Sequence, residues 1–445
     1  MSNSKAASTG SPSEEPMLNR RAIAAAVACN VLEFFDFVAY AFYSVQIGRA
    51  FFPSSERQTS LLLSLAVFAV GFIARPVGSV VIGYYADRVG RKPALLLTAV
   101  LMTVGTLGLA VTPSYASIGV AAPALVVICR LIQGFALGGE IGPSTAFLLE
   151  ISPAGLRASF VSLQIASQGA ATMLAGAIGL AISSLLGPVD MASWGWRIPF
   201  AVGALLVPVA LYLRMTMPET GGATASLPVR NESTQTMWRG TYLVLGIGVI
   251  VGGTVSTYVG NYMTTYATSV LKLPATTGLL AAVTVGLATI AGAVAGGRIA
   301  DQVGRWPLMF WPRLVAAALS VPAFHLLIAQ PTIATLLVVS AVLAFLTAAN
   351  GSGVLTTICE LFPRDRRATA MAVVYSVGVS LFGGTTQFLV TWLINYTGSP
   401  VAPAWYVVAT SAVALLAAVF LPETRPDPEL RQGSSLNPEA RPNII

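Results

Sequence analysis

Charge is scarce in this chain. Of its 445 residues, 25 are Lys or Arg and 18 are Asp or Glu, 10% in all, where an ordinary soluble domain carries roughly 25%. So few charges cannot clothe a water-exposed surface of this size, and a soluble globular class is excluded. Histidine occurs once, at His325, and cysteine three times, at Cys29, Cys129 and Cys359, each inside an apolar run. That spacing supports neither a disulfide framework nor a metal site. No Gly-rich phosphate loop follows a strand, so nucleotide-driven chemistry has no seat. With no cluster of His, Cys and carboxylates, the expectation is no enzyme, no catalytic residue, no metal and no cofactor. The net charge of +7 would suit nucleic acid, but the basic residues stand at the ends of apolar runs and not on a patch with aromatics.

What is abundant is apolar sequence, at 55% of the chain, with 41 glycines. A helix crossing a bilayer needs about 20 predominantly apolar residues, and frequent Gly suits helices that pack closely in lipid. Runs of that length predict spans at 22–46, 60–85, 93–112, 117–149, 158–186 and 195–216, then at 239–270, 275–300, 307–329, 332–359, 367–396 and 402–421. The first run is too long for a signal-peptide core and shows no cleavage site. The expected architecture is all-α and polytopic, with twelve spans in two six-helix bundles, 20–216 and 239–421. A polar linker at 217–238 joins them, a disordered tail covers 1–19 and a Pro-rich tail covers 422–445.

Lys and Arg sort between alternate loops. Arg20, Arg21, Arg88, Arg91, Lys92, Arg157, Arg305 and Arg367 fall on one side with the two tails, while the other side holds Arg49, Arg57, Arg197 and Lys272. The positive-inside rule then places both termini in the cytoplasm. The halves also repeat. Gly83-Tyr84-Tyr85-Ala86-Asp87-Arg88-Val89-Gly90-Arg91 recurs as Gly297-Arg298-Ile299-Ala300-Asp301-Gln302-Val303-Gly304-Arg305. Glu150, Pro153 and Arg157 recur as Glu360, Pro363 and Arg367, and Pro218-Glu219-Thr220 as Pro422-Glu423-Thr424. A duplicated helical membrane protein holds its substrate between the repeats, near the midplane.

These motifs resemble the major facilitator superfamily, over about residues 20–425. A narrower likeness joins Leu32-Glu33-Phe34-Phe35-Asp36-Phe37, Gly71-Phe72-Ile73-Ala74-Arg75-Pro76-Val77-Gly78, Arg130-Leu131-Ile132-Gln133-Gly134 leading to Gly138-Gly139-Glu140, and Trp194-Gly195-Trp196-Arg197-Ile198-Pro199-Phe200. These are similar to the metabolite:proton symporter branch of that superfamily. Gln164, Ala166, Ser167 and Gln168 are most like its citrate and tricarballylate carriers. The resemblance implies a bacterial inner-membrane secondary transporter, a small organic anion as substrate, a proton as coupling ion, and a monomer in the bilayer.

Ionisable groups in hydrocarbon cost several kcal/mol unless paired or hydrated, so those in mid-span are the candidate site. Glu33 and Asp36 share one face of span one by their i,i+3 spacing, with Asn30, Tyr40 and Tyr43 extending it. Arg75 and Arg130 stand in spans two and four. Guanidinium forks suit a carboxylate in two parallel hydrogen bonds, and Glu33 or Asp36 would carry the coupling proton. These groups would equally pair with one another and lock the bundle. Gln133, Gln164, Gln168, Tyr258, Asn261, Tyr262, Tyr266, Asn350, Tyr375 and Gln387 add polar groups, each of which also serves as a helix–helix bond. The second half shows no charged mid-span residue to match Arg75 and Arg130, so the expected site takes its charge from the first half. His325 reads as a lipid-facing or packed residue.

Asp87, Arg88 and Arg91 are placed for ion pairs that hold one gate state. Glu150 and Arg157 join that network in the first half, Asp301, Arg305, Glu360 and Arg367 act in the second, and Glu140 is structural or gating. The leading function is proton-coupled uptake of citrate or a related tricarboxylate by alternating access. The alternatives are a dicarboxylate such as 2-oxoglutarate, or a zwitterionic osmolyte. Osmosensing relatives of the branch carry a long C-terminal coiled coil, and 422–445 has no heptads.

Overall fold

The computed structural model describes residues 14–89, 91–153, 155–205, 236–363 and 367–425. These form helices and connecting turns, with no strand among the described residues. In chain order the helices are α1 (Glu14–Phe42), α2 (Ser44–Phe51), α3 (Arg57–Val89), α4 (Arg91–Val111), α5 (Tyr115–Ile118), α6 (Ala121–Gly138), α7 (Ile141–Glu150), α8 (Arg157–Leu185) and α9 (Pro188–Ser193). A helix at 198–205 follows and is called α10. Then come α11 (Thr236–Ser269), α12 (Ala275–Val303), α13 (Arg305–Ala329), α14 (Ile333–Leu361), α15 (Arg367–Gly378), α16 (Gly384–Thr397) and α17 (Ala402–Val419).

Ten of these segments are long and apolar enough to cross a membrane, α15 and α16 counting as one through the turn between them, and Leu96–Val111 of α4 is a shorter apolar helix. With α10 as the start of span six, the set is a twelve-helix fold. The predicted spans fall on these helices, with two breaks inside them, except that the span at 195–216 lies outside the described residues from 206 on. Span one ends at Phe42 and resumes after Tyr43 as the short α2. Span four is interrupted at Gly139 and Glu140, between α6 and α7. Span eleven runs continuously but loosens into a π-turn at Val379–Gly383. The linker at 217–238 lies outside the described residues as far as 235, as do the tails at 1–13 and 426–445.

The glycine motifs have a steric reason. A Cβ on Gly134 would stand 1.7 Å from the Gly71 carbonyl oxygen, one on Gly78 1.9 Å from that of Phe135, and one on Gly138 2.0 Å from that of Arg75. So α3 and α6 touch backbone to backbone, which only glycine permits. That contact fixes Arg75 and Arg130 on neighbouring helices at a set depth.

Between the halves, α8 runs against α12 in the same manner. A Cβ on Gly286 would meet the backbone nitrogen of Met173 at 2.4 Å, and one on Gly297 would meet Ser162 Oγ at 2.5 Å. On the other side of the bundle, Gly384 of α16 leaves room for the Phe72 ring of α3, 2.6 Å from where its Cβ would be. The two halves therefore meet along α8–α12 and α3–α16, with a space left between those seams.

Candidate functional site

That space is a cavity of about 110 Å³, where a single water needs roughly 10–15 Å³, so it has room for a small organic solute. Helices α1 and α8 of the first half and α11, α12, α14 and α15 of the second form its wall. Phe34, Phe37 and Val38 supply an apolar side, and Gln168, Thr172, Thr257, Tyr258, Asn261 and Asn350 are among its polar groups. Among the described residues, no acidic or basic side chain lines it.

The aromatic rings Phe37, Phe68, Phe72 and Tyr258 pack edge-on or tilted above the cavity, with Tyr258 of the second half 5.5 Å from Phe72 of the first. Arg75 is buried under this cluster. Its guanidinium carbon lies 4.2 Å from the Phe72 ring centre and 4.7 Å from that of Phe37. Such cation–π contacts are worth about 2 kcal/mol or more when desolvated, yet Nε and Nη2 of Arg75 have no hydrogen-bond partner. The Tyr258 and Tyr375 hydroxyls, both on the cavity wall, lie within its electrostatic reach. Arg75 thus stands one layer behind the wall, short of partners.

Arg130 belongs to a second cluster inside the first half. Its Nη1 donates to Gln133 Oε1 at 2.8 Å, and its guanidinium carbon stacks 3.6 Å over the Tyr40 ring. Gln133 Nε2 in turn donates to Asp36 Oδ2 and, at 3.0 Å, to Thr106 Oγ1. The acid and the arginine are therefore joined through Gln133 and not by a direct ion pair. Arg130 keeps Nε and Nη2 unpartnered, and Asp36 keeps Oδ1 unpartnered. Asp36 and Glu33 face a separate cavity of about 30 Å³ between α1, α4 and α10, lined also by Leu32, Ala99, Met102, Thr106 and Gly203. By the same measure it holds about two or three waters. The shared face read from the i,i+3 spacing is present, and it points away from the central cavity.

The remaining candidates divide. Gln168, Tyr258, Asn261, Asn350 and Tyr375 line the cavity, and Gln168 reaches the Tyr375 hydroxyl across the interface of the halves. Gln164 is a helix–helix bond, its Nε2 donating to Asn30 Oδ1 at 3.0 Å. Tyr262 accepts from Thr391 Oγ1 at 2.9 Å, and Tyr266 donates to the Pro400 carbonyl at 2.8 Å, so both fasten the second half internally. Gln387 is fully buried with neither amide atom bonded, away from the cavity wall. His325 is exposed on the apolar outer surface.

One expectation is overturned. The second half does hold a buried mid-span cation, Arg313 of α13, 1% exposed. Nε and Nη2 donate to Asn350 Oδ1 at 3.3 and 2.8 Å, and Nη1 donates to the Gly252 carbonyl at 3.0 Å and to Ser256 Oγ at 2.6 Å. It stands eight positions beyond Arg305, more than two turns into the helix. That depth was readable from the sequence, since position 313 falls inside the span predicted at 307–329.

At the end of the bundle that carries Arg157, Arg305 and Arg367, a second expectation changes. Arg157 and Arg367 pair across the halves, not with the glutamates of their own half. Arg157 meets Glu360 at 3.7 Å, and Arg367 meets Glu150 at 3.7 Å. Asp301 of the second half accepts the backbone N–H groups of Ala158 and Ser159, both at 2.9 Å. These are the orphan donors of the α8 N-terminus, where the helix dipole favours an anion. Arg305 sits under this layer, 3.1 Å from Glu360 and 3.5 Å from Asp301. Glu423 accepts from the N–H groups of Arg305 and Trp306, both at 2.9 Å, and caps α13. Glu140 is buried at the α6–α7 break. The side chains of Asp87, Arg88 and Arg91 lie outside the described residues.

Comparison with known proteins agrees with this architecture. The family model described as "Sugar (and other) transporter" matches residues 22–221 and 223–428. The chain is 34% identical over 396 residues to the citrate-proton symporter of Klebsiella pneumoniae, covering 88% of this chain and 89% of that one. It is 33% identical over 409 residues to the alpha-ketoglutarate permease of Escherichia coli (strain K12), covering 90% and 93%. It is 30% identical over 430 residues to the proline/betaine transporter of the same strain, covering 91% and 84%. Among solved structures it superposes on the proton:xylose symporter XylE bound to 6-bromo-6-deoxy-D-glucose with a TM-score of 0.72, at 20% identity, covering 92% and 97%. The chain belongs to the sugar (and other) transporter family of the major facilitator superfamily, and it is a membrane transporter, not an enzyme.

Proposed function

We propose that the chain is a proton-coupled symporter of an organic polycarboxylate, a tricarboxylate such as citrate before a dicarboxylate such as 2-oxoglutarate. The observation that carries this reading is Arg75. It is a buried guanidinium with two unpartnered nitrogens, held by aromatic faces beside Tyr258 and Tyr375 on a cavity wall that bears no charge of its own. A buried cation left short of acceptors is costly, and a substrate carboxylate would supply them through the fork geometry that Arg offers. Likeness to citrate-proton symporters at 34% identity and to a 2-oxoglutarate permease at 33% supports the same class.

The proton is carried by Asp36. Its unpartnered Oδ1 faces the small water-sized cavity while Oδ2 is tied through Gln133 to Arg130. An anion arriving near Arg75 adds negative charge to the first half and favours the protonated form of Asp36, which is the linkage that symport needs. The cross-half ion pairs at the Arg157 end close one access route, and they must part for the halves to rock. That end is the cytoplasmic one, and the protein works in the bacterial inner membrane. No separate cofactor takes part beyond the coupling proton. The zwitterionic alternative has a relative at 30% identity, but a zwitterion would bring its own cation to a site that already lacks anions.

Arg75→Ala, in full-length protein reconstituted in liposomes, is expected to lower citrate uptake at least about 100-fold, on the scale of losing one desolvated charge partner. Uptake at the wild-type rate by protein inserted at the wild-type level would remove Arg75 from the site.

A further inference from the structure

Arg313 poses a problem that packing does not solve. It is 1% exposed, and among the described residues no carboxylate pairs with it. Its four bonds go to neutral acceptors, namely Asn350 Oδ1 twice, the Gly252 carbonyl and Ser256 Oγ. Those bonds would be met by a neutral donor at far lower cost, because a buried charge without a counter-charge is penalised even when its hydrogen bonds are complete. The position of the charge is informative. Ser256 and Asn350 are themselves on the wall of the central cavity, and so is Gly253, the residue between Gly252 and the next turn of α11. A Cβ built on Gly253 would lie 3.4 Å from Arg313 Nη2 and 3.8 Å from Asn350 Oδ1. Gly253 itself carries no side chain, so at that point of the wall, between Ser256 and Asn350, the guanidinium is screened from the cavity by backbone alone.

We propose that Arg313 is the anion-recognition charge of the second half, acting on the cavity through the side-chain-free wall at Gly253, and that the site therefore selects substrates with at least two carboxylates, one toward each half. This rests on the anion reading given above and adds to it a second cation and a valence requirement. Arg75 flanks the cavity from α3 and Arg313 from α13. Neither has an acid partner among the described residues, and no lining side chain is acidic. A monocarboxylate would answer one of these charges and leave the other uncompensated. A substrate with carboxylates at both ends answers both, and it draws the two halves together in doing so. Arg313 also staples α11 to α13 and α14, so the test must separate charge from bracing.

The test is uptake of labelled citrate into liposomes bearing the full-length protein, with its KM and with competition by tricarballylate, succinate and pyruvate. Four proteins are compared: wild type, Arg313→Gln, Arg313→Lys and Gly253→Ala. A lysine ammonium has three donors for the same three acceptors, so Arg313→Lys keeps charge and staple together. A methyl on Gly253 meets its neighbours at ordinary contact distances, so that variant is expected to fold and to screen the guanidinium. The proposal predicts that Arg313→Gln raises the citrate KM at least about tenfold and flattens the preference of tricarballylate over pyruvate, since charge complementarity sets this discrimination. Arg313→Lys should stay within about threefold of wild type in both, and Gly253→Ala should move both in the direction of Arg313→Gln by a smaller factor. Equal loss of valence preference in the Lys and Gln variants, or an unchanged KM and preference in Arg313→Gln, overturns it. If Arg313→Gln does not reach the bilayer, an unchanged KM and preference in Gly253→Ala overturns it instead. A wild-type protein that takes up no carboxylate sinks the anion reading itself, whereas wild-type citrate uptake with an unaffected Arg313→Gln sinks only this inference.

Discussion

In the first half, acid, amide and cation form a chain, Asp36 to Gln133 to Arg130, with Arg75 beside it. In the second, Arg313 stands alone, answered by an amide oxygen, a backbone carbonyl and a hydroxyl. At the Arg157 end the two halves are more alike. There the duplicated Glu and Arg pair reciprocally, Glu150 with Arg367 and Glu360 with Arg157. Duplication thus kept the layer that closes the bundle and let the layer around the cavity diverge. A gate between two halves needs both faces to match. A site for a coupled anion needs a group that titrates, and one such group is enough. On the proposed reading, the half that holds Asp36 is the one that couples, and the half that holds Arg313 supplies fixed charge.

The comparison can be broken most severely at its polar chain. Arg130→Ala leaves Asp36 and Gln133 without their cation, and breaking a buried charge network in this way costs about 3–5 kcal/mol. Uptake should be abolished while the protein still reaches the membrane, checked by uptake beside immunoblotting of the membrane fraction. Next in size is Asp36→Asn, which removes the titrating group but retains an acceptor for Gln133. Gradient-driven accumulation should be lost, while exchange of labelled for unlabelled citrate without a gradient stays within about threefold of wild type, because exchange needs reorientation of the loaded carrier only.

The gate layer gives smaller effects, and they should differ between the halves. Glu360 is 5% exposed and serves Arg305, Arg157 and Thr424 together. Glu360→Gln should destabilise the purified protein by about 1–3 kcal/mol, the range for a buried charged hydrogen-bonding group. Glu150 is 32% exposed, and Glu150→Gln should cost no more than about 1 kcal/mol, as exposed pairs do. Thermal unfolding in detergent compares the two, and equal shifts would contradict the asymmetry. The smallest effect is expected at His325→Leu, where the ring lies on the outer apolar surface and both uptake and its pH dependence should be unchanged.

The spans, their number and the duplicated basic motifs were legible because length, hydropathy and repetition are properties of the chain itself. The breaks were not. Tyr43 interrupts a helix inside an apolar run that gives no compositional signal, Gly138-Gly139-Glu140 was read as a motif and not as a break, and the π-turn at Val379–Gly383 accommodates the Tyr258 ring from another helix. In the site, residue types were read well and their neighbours poorly. Glu33 and Asp36 do share a face, but whether that face meets the cavity or α4 depends on how α1 is turned in the bundle. Gln164 and Gln168 lie one turn apart on α8, yet one bonds Asn30 and the other reaches Tyr375 across the halves. Arg313 was missed although it falls inside the span predicted at 307–329. Its role comes from α11 and α14, which are far from it in sequence.

The central claim is that buried cations behind an uncharged cavity make this a proton-driven carrier of polycarboxylates. Citrate uptake into liposomes bearing the wild-type protein tests it most directly, with and without an inward proton gradient and with unlabelled tricarballylate, 2-oxoglutarate, succinate or proline as competitors. The account predicts uptake that the gradient accelerates, strong competition by tricarballylate, weaker competition by the dicarboxylates and none by proline. Uptake indifferent to the gradient, or blocked by proline and by none of the acids, would contradict it.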